Sequence, residues 1–211
     1  MKNKKFLIIF FILFLMTLTG ASCQKREEKI SMPEVFLKNK KVVLIVAFQN
    51  YQDLEYNGVR KVLEGNGAEI TIASSSKGEA RGVLGGKILV EKNIKEIDLN
   101  DFDALVFIGG PGASEYFENK DVHQLVQEAV KKEKILGAIC ISPVILAKAG
   151  ILFGKKATVW SSLVDKSPIE ELKKNGAIYL DEDVVVDGKI VTANGPKAAE
   201  KFAQAIVNLL K

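Results

Sequence analysis

Residues 41–48 read KVVLIVAF. After Lys41 the run is unbroken apolar and rich in β-branched side chains. Polar and apolar positions do not alternate along it, so neither face of the strand it predicts can lie in water. That is the pattern of a parallel-sheet strand covered by helices on both sides. The surrounding sequence repeats the theme. Residues 51–64 carry Leu54, Val59, Val62 and Leu63 at helical spacing, and Gly65-Asn66-Gly67 ends them. Strands are predicted over 68–73, 102–108 and 135–139. A helix over 121–132 has Val122, Leu125, Val126 and Ala129 on one face. A short helix over 142–149 tolerates Pro143 in its first turn. The C-terminal part predicts a helix over 168–174, strands over 177–180, 184–186 and 190–192, and a closing helix over 197–210. Asp187-Gly188 marks a hairpin between the last two strands. Strands alternating with helices predict an α/β fold of the flavodoxin-like, doubly wound kind, with a mostly parallel sheet between two helical layers.

Composition agrees with one globular domain. The 211 residues are 47% hydrophobic and 27% charged, enough to bury a core, which excludes disordered and collagen-like classes. One His and two distant Cys exclude a His- or Cys-rich metal site, and no metal or cofactor is expected. The formal charge of +4 falls to +1 without the three lysines that precede Phe6, so no nucleic-acid partner is implied.

Those lysines open an export-like segment. Residues 6–18, FLIIFFILFLMTL, are almost purely apolar, and small residues lead to Cys23. The run is shorter than the ~20 residues of a spanning helix. The segment resembles a bacterial lipoprotein signal, which implies lipidation at Cys23. Ordinary cleavage after Thr19-Gly20-Ala21 and an uncleaved anchor are the alternatives. The organisation expected is a signal peptide over 1–22, a lipidated tether over 23–40 and a domain over 41–211. The charged tether has a reach of roughly 20–25 Å. The protein is then expected on the exported side of the bacterial cell envelope, held to the membrane by its N-terminal lipid.

Two strand ends could carry chemistry, because sites in such sheets form beyond the carboxyl ends of the strands. One is Gly109-Gly110-Pro111-Gly112, whose backbone N–H groups can approach a ligand. A tight turn is the alternative. The other is Cys140, between a strand and the helix beginning near Ser142-Pro143. A helix start favours the thiolate, and a sharp strand-to-helix turn would expose the sulfur as a nucleophile elbow does. A buried, inert Cys is the alternative.

Gly-Gly-Pro-Gly at 109–112, Ala138-Ile139-Cys140 with Pro143, Gln52-Asp53-Leu54-Glu55 and Asn194-Gly195-Pro196 together resemble the ThiJ/PfpI family. The similarity runs from about Lys41 to the C-terminus. The resemblance implies a flavodoxin-like sandwich related to class I glutamine amidotransferases, with Cys140 as the reactive thiol and Glu55 as its acidic partner. It also implies an oligomer, a dimer or a larger ring. A protonated Glu55 could donate a hydrogen bond to the sulfur, whereas a solvated first-turn carboxylate is the plain alternative.

The sequence departs from the family's hydrolases in one respect. Ile141, not His, follows the cysteine, and Trp160 stands where other members supply a His. His123, the sole His, reads as an ordinary helix residue, so peptidase activity is weakened most. The expected enzyme adds Cys140 to a small carbonyl, free or as a modified protein side chain, in glyoxalase or deglycase fashion. Glu55 would move the proton, and the N–H groups of Gly109, Gly110 and Ile141 would hold the oxyanion. The alternative is a non-catalytic redox sensor or chaperone-like binding domain.

Overall fold

The computed structural model describes residues 36–211. The export-like segment, Cys23 and most of the charged stretch lie outside the described residues. In chain order the elements are β1 (Lys41–Ile45), β2 (Gln49–Tyr51), α1 (Asp53–Gly65), β3 (Glu69–Ser74), β4 (Gly78–Gly82), β5 (Lys87–Val90), β6 (Lys92–Asn93) and β7 (Ala104–Phe107). They continue with α2 (Lys120–Lys131), β8 (Ile135–Ile139), α3 (Pro143–Lys148), β9 (Lys156–Ala157), α4 (Ser167–Lys174), β10 (Ile178–Tyr179), β11 (Val184–Asp187), β12 (Ile190–Ala193) and α5 (Ala199–Leu210).

Seven strands form the central sheet in the order β11-β12-β8-β7-β1-β3-β6. All pairs are parallel except β11 with β12, which is the hairpin turning at Gly188. Val42, Val43, Leu44 and Ile45 are all fully buried, as the unbroken apolar run requires. The pleat sends Val42 and Leu44 to a core shared with Val59, Leu63, Phe202 and Ile206 of α1 and α5. Val43 and Ile45 face Val126, Leu146 and Leu172 of α2, α3 and α4. One strand therefore serves both cores.

The strand expected over 41–48 is cut short. The central pairing stops at Ile45, and residues 49–51 join a separate three-stranded sheet, β2-β4-β5. Helix α1 accordingly starts at Asp53 rather than 51, with Gln52 as its cap accepting from Leu54 N–H at 3.2 Å.

Packing also begins upstream of Lys41. Leu37 is fully buried, and its N–H donates to the Asn66 carbonyl at 2.8 Å. Leu37→Ala is therefore expected to destabilise the domain by about 2–5 kcal/mol, the usual cost of truncating a buried Leu. Chemical denaturation should show this as a lower midpoint with an unchanged slope; an unchanged midpoint would mean that residues 36–40 contribute nothing to the fold.

Candidate active site

Strands β1, β7 and β8 lie side by side, so the segments leaving their carboxyl ends meet at one edge of the sheet. Cys140 follows β8 directly and takes φ 65°, a left-handed conformation that costs a side-chain-bearing residue free energy. The neighbours hold it there. Its N–H donates to the Ala193 carbonyl at 2.9 Å, and its carbonyl accepts from Trp160 N–H at 2.8 Å. Ser142 Oγ donates to the Ile108 carbonyl at 3.0 Å, tying the turn to the end of β7. This is the predicted elbow, built by three strand ends at once.

Glu55 reaches the same place from α1. It is fully buried, and its Oε2 accepts from Gly109 N–H at 3.0 Å. Gly109 is wedged between the two groups: a Cβ there would collide with Cys140 Cβ and come within 2.7 Å of Glu55 Oε2. Gly110 has φ 103° and passes against the backbone of residues 50–52, and Gln52 N–H donates to the Gly109 carbonyl at 2.9 Å. The start of α1 is thus fastened to the end of β7, and that fastening brings Glu55 to the sulfur. Gly109 was expected among the oxyanion donors. Its N–H is instead committed to Glu55, which leaves the N–H groups of Gly110 and Ile141, the two that favour charge on the Cys140 sulfur.

Burial dominates the electrostatics of both groups. Burial raises the Glu55 pKa to about 7, against the pull of hydrogen bonds from Cys140 and Gly109. Its Oε1 is buried without a hydrogen-bond partner of good geometry, an oxygen suited to receive a proton. The thiol was expected to be acidified by the helix start. Burial pushes it up instead, to about 12, with the Glu55 charge as the next cause; the Gly110 and Ile141 N–H groups only partly oppose this. The reason is local. Cys140 is 8% exposed, shares its enclosure with a carboxylate, and precedes a six-residue helix that starts three positions later. Burial and the neighbouring group therefore disfavour ionisation of both, and the two titrate as a coupled pair.

A pocket of about 280 Å³ opens onto the sulfur. Its walls are Gln52, Gly110, Pro111, Ile141, Trp160 and Pro196. Sequence reasoning placed Cys140, Gly110 and Ile141 here but treated Gln52, Trp160 and Pro196 only as motif or gap positions. His123, on α2, plays no part: its Nε2 lies 2.8 Å from the Phe117 carbonyl, which precedes that helix. Asp53 was read only as a motif position, and its clamping role was not anticipated. Its buried carboxylate accepts from Leu84 N–H at 2.8 Å and Gly86 N–H at 2.7 Å, clamping the β4–β5 loop onto the start of α1. The signal was Asp53 in the first helical turn together with the glycines at 82, 85 and 86.

The chain is similar to known proteins over most of its length. The DJ-1/PfpI family model matches residues 40–209. An uncharacterized protein of Methanocaldococcus jannaschii is 41% identical over 206 residues, covering 95% of each chain. A glutathione-independent glyoxalase of Caenorhabditis elegans is 28% identical over 82% of this chain and 89% of its own length. A deglycase of Thermococcus kodakarensis is 30% identical over 80% of this chain and 99% of its own. Among crystal structures, a ThiJ/PfpI domain protein from Brachyspira murdochii superposes with a TM-score of 0.77 at 32% identity, over 82% of this chain and 96% of that one.

Proposed function

Because this chain belongs to the DJ-1/PfpI family, whose members similar to it include a glyoxalase and a deglycase, we propose that it is a cysteine-dependent enzyme acting on small α-oxoaldehydes or their protein adducts. The observation that carries the reading is the buried Glu55 carboxyl set against Cys140 across Gly109, with the sulfur opening onto a pocket.

The pair supports a balanced sequence without an outside oxidant. As the Cys140 sulfur attacks the aldehyde carbon, Glu55 takes the thiol proton and a C–S bond forms. The carbonyl oxygen gains charge beside the Gly110 and Ile141 N–H groups and takes the thiol proton back from Glu55, giving a hemithioacetal hydroxyl and leaving Glu55 free as a base. Glu55 then moves the former aldehyde hydrogen, as a proton, to the adjacent carbonyl carbon, while the hydroxyl proton passes to that carbonyl's oxygen. The aldehyde carbon is oxidised to a thioester as its neighbour is reduced to an alcohol. Water cleaves the thioester, releasing a 2-hydroxy acid and restoring the thiol. The lipid-tethered placement suggested by residues 1–23 is an addition to this proposal and not a requirement of it.

The test is methylglyoxal consumption with 2-hydroxy acid detection, using Cys140→Ala as the control. Turnover in the wild type and none in the variant is the expected result. Equal rates in both would end the thiol mechanism.

A further inference from the structure

The pocket has a chemical preference of its own. Beyond the Cys140 sulfur and the Gly110 backbone, its walls are Pro111, Ile141, Trp160 and Pro196, with Gln52 as an amide side chain. Among the described residues no lysine or arginine lines it. Apart from the Gln52 amide and the Gly110 and Ile141 N–H groups that serve the reacting oxygen, these walls offer nothing to offset the desolvation of a carboxylate or phosphate on an incoming substrate. The charge of the Cys140–Glu55 pair, behind the pocket floor, repels a second anion. A methyl substituent would cover little of a cavity of about 280 Å³. A flat apolar group would displace more water and lie against the indole and the prolines. Trp160 is also tied to the nucleophile, since its backbone N–H donates to the Cys140 carbonyl at 2.8 Å. That bond places the Trp160 main chain beside the reacting sulfur, and its partly buried side chain packs against the core next to Gly195.

Resting on the reading that Cys140 adds to α-oxoaldehydes, we propose that the pocket selects uncharged oxoaldehydes bearing a planar apolar substituent, with Trp160 as the residue that sets this specificity. The same lining explains turnover. The product is a carboxylate, and a wall without a cation beside a negatively charged pair gives it no reason to stay.

Two measurements on the full chain test this. The first compares kcat/KM for phenylglyoxal and methylglyoxal in wild type, Trp160→Phe and Trp160→Ala. Trp160→Ala should lower the phenylglyoxal-to-methylglyoxal ratio about tenfold, chiefly through KM, while Trp160→Phe should keep it within about threefold. The second needs no turnover and no variant. Acetophenone should slow iodoacetamide alkylation of Cys140, read by peptide mass, and benzoate at the same concentration should not. A ratio unmoved in Trp160→Ala, or benzoate protecting as well as acetophenone, overturns the proposal. If acetophenone alone protects but neither oxoaldehyde is consumed, the carbonyl chemistry falls and the pocket's preference for flat neutral groups stands.

Discussion

A Glu55→Gln variant is expected to lose about 100- to 10,000-fold in carbonyl turnover, the usual contribution of a positioned acid–base group, while becoming more stable than the wild type at pH 8. Both effects come from the same burial. Glu55 ionises in the unfolded chain at its ordinary value of 4.5 but in the fold only at about 7. Below pH 4.5 it is protonated in both states and costs nothing. As the pH rises through 7 the fold must hold a buried carboxylate that the unfolded chain would rather expose to water. The stabilisation of the protonated form is thereby lost, at about 3 kcal/mol for a shift of this size. Gln has no proton to lose. Its carbonyl can still accept from Gly109 N–H, and its amide can donate toward the sulfur. The melting temperature should therefore exceed the wild type's by roughly 5–10 °C at pH 8 and match it near pH 4. Thermal melts at the two pH values check this. A variant that tracks the wild type at both would place Glu55 in contact with solvent. In the wild type, turnover should rise with pH through about 7, as Glu55 gives up the proton that keeps it from acting as a base.

Gly109→Ala should be nearly as damaging to activity, for a steric reason. The new Cβ would collide with Cys140 Cβ and crowd Glu55 Oε2. The backbone cannot retreat easily, because the Gly109 N–H is bonded to Glu55 and its carbonyl to Gln52 N–H. One of the two reacting groups must move. A displacement of about 1 Å at such a site costs about 100-fold in rate, and overpacking adds about 1–3 kcal/mol of destabilisation. Gly65→Ala, at the open end of α1 where nothing lies within 4 Å, is the matched control and should change neither quantity appreciably. Steady-state kinetics and urea denaturation on both variants would show the contrast. Wild-type activity in Gly109→Ala would mean that the Cys140–Glu55 spacing is unimportant to the chemistry.

The sheet was legible in the sequence wherever burial on both faces erased alternation. Residues 42–45 and 135–139 could be nothing but interior strands, and the amphipathic stripe of α2 dictated a surface helix. The β4–β5 hairpin was not legible. Its strands are four or five residues long, its sequence is interrupted by Gly78, Gly82, Gly85 and Gly86, and Leu89 is largely exposed. It is held by the distant Asp53 carboxylate, which no local period announces. The site divides in the same way. The elbow at Cys140 follows from local order, strand then helix. The pairing with Glu55 came from the family resemblance, and the thiol's charge state from neither. Position relative to a helix predicted acidity, but enclosure with a carboxylate from another part of the chain outweighs it.

The enclosure of Cys140 governs how this cysteine fares outside catalysis. Peroxides and disulfides react with thiolates and hardly at all with thiols. A sulfur that is 8% exposed, and whose ionisation burial and the Glu55 charge both oppose, is a slower target for bulk oxidants than an open, acidified thiol. The enclosure that brings Cys140 to its carboxyl partner thus also lengthens the life of its reduced form.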